Sequence, residues 1–125
     1  MNLIKDTWNK EDKDLFQTYL KSFENKEKQE WSRNLIKTEL PVLAIKYPIM
    51  KEIIKEISKG NYLEFLDLMI WEYYENTAIN GFLITKIKDF KTMKKYLDIY
   101  SKKADNWATC DLLSFNVKRK RRGIF

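Results

Sequence analysis

The sequence contains no histidine and a single cysteine, Cys110. The absence of histidine excludes Ser-His-Asp and Cys-His nucleophile systems and also excludes metal sites that use histidine. A single cysteine cannot form an intramolecular disulfide or a multi-cysteine zinc site. The common nucleophilic and zinc-dependent mechanisms are therefore unavailable to this chain.

Residues that form turns are also scarce, with three glycines and two prolines among 125 residues. An all-β sandwich needs many more turns, whereas 20 lysines together with abundant leucine and isoleucine favour helices. No apolar run approaches the ~20 residues that cross a bilayer, and the amino terminus has no signal-peptide hydrophobic region. We expect an all-α, cytoplasmic protein without a membrane partner.

The net charge of +6 is concentrated at the carboxyl end, where residues 118–122 are all basic. Without these five residues, 19 positive and 18 negative side chains remain, so the rest of the chain is nearly neutral. We predict one domain over residues 1–117 and a basic tail over 118–125. Such a tail can hold phosphates through counterion release or can simply be solvated, so charge alone does not establish DNA binding.

Helical periodicity is clear in the first half of the chain. Apolar residues recur at helical spacing from about Asp12 to Phe23, and a second segment around Trp31 continues the pattern. Pro48 is suited to the first turn of a third helix, and Gly60 is expected to end that helix in the left-handed conformation. The inner face of this helix is predicted to be Ile49, Met50, Ile53, Ile54 and Ile57, and its outer face Lys51, Glu52, Lys55, Glu56 and Lys59.

The second half predicts further short helices. Asn61 with Glu64 resembles a capping box that starts a helix over Tyr62–Tyr74, apolar nearly all round. Asn76 or Thr77 would cap the next helix, a further helix contains Met93, Tyr96, Leu97 and Tyr100, and Asp105 or Asn106 would cap a last one. The starts near 48, 62, 77, 91 and 105 are evenly spaced. This regularity fits either stacked helical pairs in an α-solenoid or an irregular helical bundle.

Trp107 and Asp111 lie four residues apart and therefore share one face of the predicted last helix. Asp111 has apolar residues on both sides of it on the helical wheel. A carboxylate in that position is either a structural cap for another segment or a functional group. Spacing alone favours the structural interpretation.

The run Asp-Asn-Trp-Ala-Thr-Cys-Asp at 105–111, with the Ala-Ile-Lys-Tyr-Pro run at 44–48, resembles the bacterial DNA alkylation repair family, the AlkD-like DNA glycosylases. The resemblance extends over about residues 34–115, although a glycine is common in the family where this chain has Ala44. It implies a right-handed α-solenoid, or superhelix, of HEAT-like antiparallel helix pairs. It also implies that Trp107 and Asp111 are active-site residues.

The chemistry implied by this resemblance is the removal of N-alkylated purines, such as 3-methyladenine and 7-methylguanine, from duplex DNA. The alkylated base is already a good leaving group, so stabilising the cationic sugar is the main requirement. Asp111 would stabilise that sugar and orient water, and Trp107 would offer an aromatic face to the sugar and base. No metal or organic cofactor is required.

The chain departs from the family after Asp111, because further helices that carry a tryptophan and an arginine do not follow. We expect an incomplete, truncated fragment without the carboxyl-terminal repeats. Its uncapped end would self-associate through Leu112, Leu113, Phe115 and Val117. The alternative is a noncatalytic helical-repeat module that binds nucleic acid or protein, with Asp111 in a structural role.

Several other residues have a simple structural interpretation. Packing accounts for Trp8 and Trp31, and the aromatic group at 71–74 is predicted to belong to the core. Cys110 is predicted to be a small buried hydrophobic residue. A lysine strip could contact phosphates, although a solvated face is the simpler interpretation; it comprises Lys86, Lys88, Lys91, Lys94 and Lys95.

Overall fold

The computed structural model describes residues 1–36 and 40–103 of the 125-residue chain. The described residues form six helices and no strand, which confirms the all-α class. No helix in this part of the chain combines the length and the apolar character that crossing a bilayer requires. The helices are α1 (Lys10–Lys21), α2 (Gln29–Ile36), α3 (Tyr47–Lys59), α4 (Tyr62–Asp67), α5 (Tyr74–Thr85) and α6 (Phe90–Lys103).

Helix α5 is the centre of the packing, because it contacts α3, α4 and α6. Most of its residues are buried, whereas α2 exposes five of its seven described side chains. The core continues from the amino-terminal segment to α6 as one cluster. Within it, the ring centroids of Trp8 and Phe16 lie 5.0 Å from that of Phe65 in edge-to-face geometry. The segments before and after α3 therefore share one core.

Four predicted helices, α1, α2, α3 and α6, are confirmed with small changes of boundary. In α1, the Asn9 side chain accepts a hydrogen bond from the Asp12 N–H, and the Asp12 carboxylate accepts one from the Asn9 N–H, both at 3.0 Å. Helix α3 begins at Tyr47 with Pro48 in its first turn, as predicted. Its inner residues Ile53 and Ile57 are buried, and Met93, Tyr96 and Tyr100 of α6 are buried likewise.

The expected left-handed conformation at Gly60 is wrong. Gly60 has φ −102° and ψ −154°, which is extended backbone. The reason for glycine is the close approach of the amino-terminal segment, because a Cβ atom at residue 60 would lie 2.5 Å from the Lys5 carbonyl oxygen. The same carbonyl accepts a hydrogen bond from the Asn61 N–H at 2.7 Å. The chain needs space here rather than conformational freedom.

The predicted helix over Tyr62–Tyr74 is also wrong beyond its first half. Asn61 caps α4 by accepting a hydrogen bond from the Glu64 N–H at 3.5 Å, as the sequence suggested, but α4 ends at Asp67. Met69 then has a positive φ of 54°, which a continuing helix does not permit. The buried Asn80 side chain donates a hydrogen bond to the Ile70 carbonyl oxygen at 2.8 Å and so holds the nonhelical connection.

Helix α5 begins at Tyr74, earlier than the predicted start at Asn76 or Thr77. Asn76 lies within the first turn, and its side-chain oxygen accepts a hydrogen bond from the Tyr73 N–H at 2.9 Å. The observed starts at 47, 62, 74 and 90 are spaced less evenly than the sequence suggested. The arrangement as HEAT-like pairs in a superhelix stays a prediction, as does the division into residues 1–117 and 118–125.

Candidate functional site

A groove between α3 and α5 forms a concave surface with a cavity volume of about 500 Å³. Its floor is mainly apolar, and lysine side chains stand at its edges. We call it the lysine-edged groove. It is lined by Ile45, Tyr47, Met50, Lys51, Ile54, Lys55, Tyr74, Glu75, Ala78, Phe82, Thr85 and Lys86.

Helical spacing explains why these side chains meet. Tyr47, Lys51 and Lys55 follow each other at intervals of four and therefore form one edge of α3. Tyr74, Ala78 and Phe82 form the facing stripe of α5 by the same interval. The Tyr47 side chain is 72% exposed at the edge of the groove. Each helix thus contributes a continuous wall along two or more turns.

Glu75 lies at the base of this groove and is almost fully buried. One carboxylate oxygen accepts a hydrogen bond from the Leu43 N–H and the other accepts one from the Ala44 N–H, both at 3.0 Å. These bonds hold the connection before α3, where Ala44 has a positive φ of 60°. A position of this kind favours glycine, so Ala44 adopts a backbone conformation that is unusual for a residue with a side chain. Glu75 therefore acts as a structural clamp on the groove floor.

A second groove lies on the opposite side of α3, with a volume of about 430 Å³. Here α3 contributes Glu52 and Glu56, and the remaining lining residues are apolar or aromatic. We call it the glutamate-edged groove. It is lined by Leu3, Tyr19, Phe23, Pro48, Ile49, Glu52, Ile53 and Glu56. The face predicted as one outer surface of α3 is thus divided between two grooves of opposite charge.

The lysine strip identified in the sequence is exposed along its whole length. Lys86, Lys88, Lys91, Lys94 and Lys95 all have solvent-accessible side chains around the connection from α5 to α6. Asp89 in the same connection accepts hydrogen bonds from the Thr92 hydroxyl and the Thr92 N–H, which lower the pKa of its carboxyl. The exposure of the strip is compatible both with phosphate contact and with simple solvation.

The two predicted active-site residues, Trp107 and Asp111, lie outside the described residues. The same holds for Cys110, for the predicted last helix, for the predicted self-association surface and for the basic tail. The last described residue of α6 is Lys103, four positions before Trp107 along the chain. Their assignment stays a prediction from the motif.

The packing predictions for the other tryptophans are confirmed for Trp8 and Trp71 and wrong for Trp31. Trp8 is buried, and Trp71 packs partly buried against Tyr100, with ring centroids 6.1 Å apart, so both predictions of packing are confirmed. The prediction for Trp31 is wrong, because its side chain is 64% exposed on α2. Leu35, one turn further on, is 66% exposed on the same side of that helix.

Sequence reasoning missed Glu75. Its carboxylate binds the N–H groups of Leu43 and Ala44, which lie 32 and 31 positions earlier in the chain. Such long-range pairs leave no local spacing in the sequence to detect. The available signal was the cluster of polar residues within an otherwise apolar helix: Glu75, Asn76, Thr77 and Asn80, all of which are buried. Buried polar groups normally have hydrogen-bond partners, and the side chains of Glu75, Asn76 and Asn80 each have at least one.

A family model described as DNA alkylation repair enzyme matches residues 16–120, which is most of the chain and includes both Trp107 and Asp111. Neither the curated proteins nor the solved structures that were compared include a match.

Proposed function

This chain belongs to the DNA alkylation repair enzyme family, and we propose that it removes positively charged N-alkylated purines from duplex DNA by N-glycosylase chemistry. Membership connects the chain to DNA repair in general terms. The single observation that carries the finer proposal is that the family match extends through the Trp107 and Asp111 motif. A cytoplasmic location belongs to the same proposal.

In the proposed reaction, the bond between the alkylated base and its sugar breaks as positive charge develops on the sugar. The Asp111 carboxylate stabilises this charge and orients the attacking water molecule. The water oxygen forms the new bond to the sugar carbon and releases one proton to solvent, while the electrons of the broken bond leave with the base and neutralise its positive charge. Trp107 presents its aromatic face to the cationic sugar and base, which favours them by cation–π attraction.

The decisive experiment compares the unchanged chain with Asp111→Asn. Release of 3-methyladenine and 7-methylguanine from methylated duplex DNA is measured by chromatography, and duplex binding is measured in parallel. We expect Asp111→Asn to abolish release and to retain binding. The matched control is Asp105→Asn, which removes a nearby carboxylate and should retain release. Unchanged release by Asp111→Asn would exclude the proposed role of that carboxylate.

The second candidate is a noncatalytic helical-repeat module that binds nucleic acid or protein. Exposed Trp31 and Leu35 on α2 favour it, because large apolar side chains at the surface commonly mark interaction sites. The same experiment separates the two candidates. A chain that binds duplex DNA but releases no base, with or without Asp111→Asn, supports the binding module.

The lysine strip is proposed to contact DNA phosphates. Replacing Lys91 and Lys94 by glutamine removes two positive charges from one exposed side of α6. If both contact phosphates, the logarithmic salt slope of duplex binding should fall by about 2. The control pair is Lys10→Gln with Lys21→Gln on α1, also exposed. An equal fall for both pairs would indicate a general charge effect and contradict specific contacts.

A further inference from the structure

The lysine-edged groove has the size and shape of a small-molecule site. Its volume of about 500 Å³ lies within the ~300–1,000 Å³ that is common for such sites. The floor offers aliphatic and aromatic contacts from Met50, Ile54 and Phe82, and Ala78 leaves space between them. These contacts suit an apolar body rather than a hydrated one.

The charges around this floor are mainly positive. Lys51 and Lys55 line one edge as neighbours on α3, and Lys86 lies at the carboxyl end of α5. Among the described lining residues, Glu75 is the one carboxylate, and both of its oxygens already accept backbone hydrogen bonds. The lysine ammonium groups therefore dominate the exposed edge, which favours an acidic group there.

The same charges argue against two other occupants. Residues 118–122 of this chain are all basic, so like charge opposes their entry. Duplex DNA would place hydrated phosphates at the lysines and would leave the apolar floor unused. A ligand with both an acidic group and an apolar body uses the lysines and the floor together.

We propose that the lysine-edged groove binds a small amphipathic organic anion, with its apolar body on the α3–α5 floor and its acidic group beside Lys51 and Lys55. The proposal uses neither Trp107 nor Asp111, the residues of the proposed glycosylase chemistry. The two proposals can therefore fail independently.

The test uses the whole chain and the dye anilinonaphthalene sulfonate, an aromatic anion whose fluorescence rises in apolar surroundings. Decanoate competes with the dye in one series, and decyltrimethylammonium, an apolar chain of nearly the same length with a positive head, competes in the other. We expect decanoate to displace the dye at lower concentration than the cation does. Equal displacement by both would overturn the proposal, because the lysines would then have no role.

Two variants locate the site. Lys51→Gln with Lys55→Gln should weaken dye binding about fivefold, since two exposed charge contacts are lost. Ala78→Met should weaken dye binding more than the two lysine changes do, because the longer side chain occupies the groove floor. The control pair, Lys10→Gln with Lys59→Gln, removes two exposed lysines outside the groove and should leave binding unchanged. Circular dichroism of each variant confirms that folding is retained.

Three further outcomes would contradict the inference. Dye binding that neither groove variant changes would place the dye elsewhere. A fall shared by the control pair would show a general charge effect. Displacement by a short duplex DNA that depends on Lys51 and Lys55 would make the groove part of a DNA surface. None of these outcomes depends on base release, so the glycosylase proposal is tested separately.

Discussion

The two sides of α3 differ in charge although they belong to the same short helix. One side borders a groove of about 500 Å³ with Lys51 and Lys55, and the other borders a groove of about 430 Å³ with Glu52 and Glu56. The helical repeat separates adjacent residues by about 100° and brings residues four apart together. A Lys-Glu pair repeated after four positions therefore gives two edges of opposite sign. A row of charged residues that the sequence predicts as one helix face can therefore form two surfaces of opposite charge in the folded chain.

The two sides also differ in how the chain secures them. On the lysine side, the Glu75 carboxylate holds the connection before α3. On the glutamate side, the amino-terminal segment packs directly against Gly60 and accepts a backbone hydrogen bond from Asn61. A side-chain clamp and a close backbone contact respond differently to substitution, which leads to four predictions.

The largest effect is expected from Glu75→Ala on the lysine side. This change leaves the Leu43 and Ala44 N–H groups without their acceptor, which should lower the free energy of unfolding by about 2–4 kcal/mol. Urea denaturation followed by circular dichroism measures it. Glu52→Ala, an exposed glutamate on the other side of α3, is the control and should change stability little. If the two variants lost equal stability, the buried Glu75 would stabilise the fold no more than the exposed Glu52 does.

On the glutamate side, Gly60→Ala should lower the free energy of unfolding by about 1–3 kcal/mol, because its Cβ would overlap the Lys5 backbone. Gly60→Asn sharpens the test. Asparagine tolerates left-handed backbone, so it would be the better substitute if conformation were the reason for glycine. Because space is the reason, Asn should be no better than Ala in thermal denaturation. A clearly more stable Asn variant would restore the left-handed interpretation.

The contribution of Asp12, in the first turn of α1, to folding stability is expected to depend on pH. The Asn9 N–H and the Lys5 ammonium, 3.1 Å from the carboxylate, lower the pKa of Asp12 below its ordinary value of 3.8. The folded state thus loses its proton more readily than the unfolded state. The stabilisation is fully present above pH 3.8 and is lost as the pH falls through the lowered pKa.

Urea denaturation of the unchanged chain and of Asp12→Asn from about pH 6 to about pH 2.5 measures this dependence. The stability difference should be constant near neutral pH and should shrink in the acid range. Asp14→Asn, an exposed carboxylate on the same helix, should show no comparable trend. A difference that stays constant to the lowest pH would contradict the proposed ion pair and cap.

The smallest effect returns to the lysine side and has the opposite sign. Ala44→Gly removes the cost of a positive φ, which is about 1–2 kcal/mol. Glycine also makes the unfolded chain more flexible, which lowers the free energy of unfolding by about 0.5–1 kcal/mol. We expect a gain of up to about 1.5 kcal/mol in the free energy of unfolding. Ala78→Gly within α5 should instead reduce stability. A loss for both variants would show that residue 44 does not need the left-handed conformation.

The sequence predicted those elements whose evidence is local. Apolar periodicity located α1, α2, α3 and α6, and Pro48 and Asn61 marked two helix starts. The prediction failed at 68–74 because an apolar run is equally compatible with a helix and with a buried connection. The hydrogen bond from Asn80 to Ile70 decides between them, and that contact forms only in the folded chain.

The same limit applies to the candidate sites. The lysines and glutamates of α3 were identified as one outer face, but their division depends on where α1 and α5 pack. Glu75 was missed because its partners are distant in sequence. Trp107 and Asp111 were found from a short motif and its family resemblance, and they lie outside the described residues, so their positions stay predicted.

Helix α5 holds distant segments through buried side chains. Asn76 exchanges two side-chain hydrogen bonds with Gln17, both at 2.9 Å, Glu75 holds residues 43 and 44, and Asn80 holds Ile70. In hydrogen exchange, a loop amide normally exchanges through small local openings. The Leu43 amide is bonded to a residue of the central helix, so freeing it requires disruption of the core. Its protection should therefore approach that of α5 itself, which makes this connection kinetically part of the core although it has no regular secondary structure.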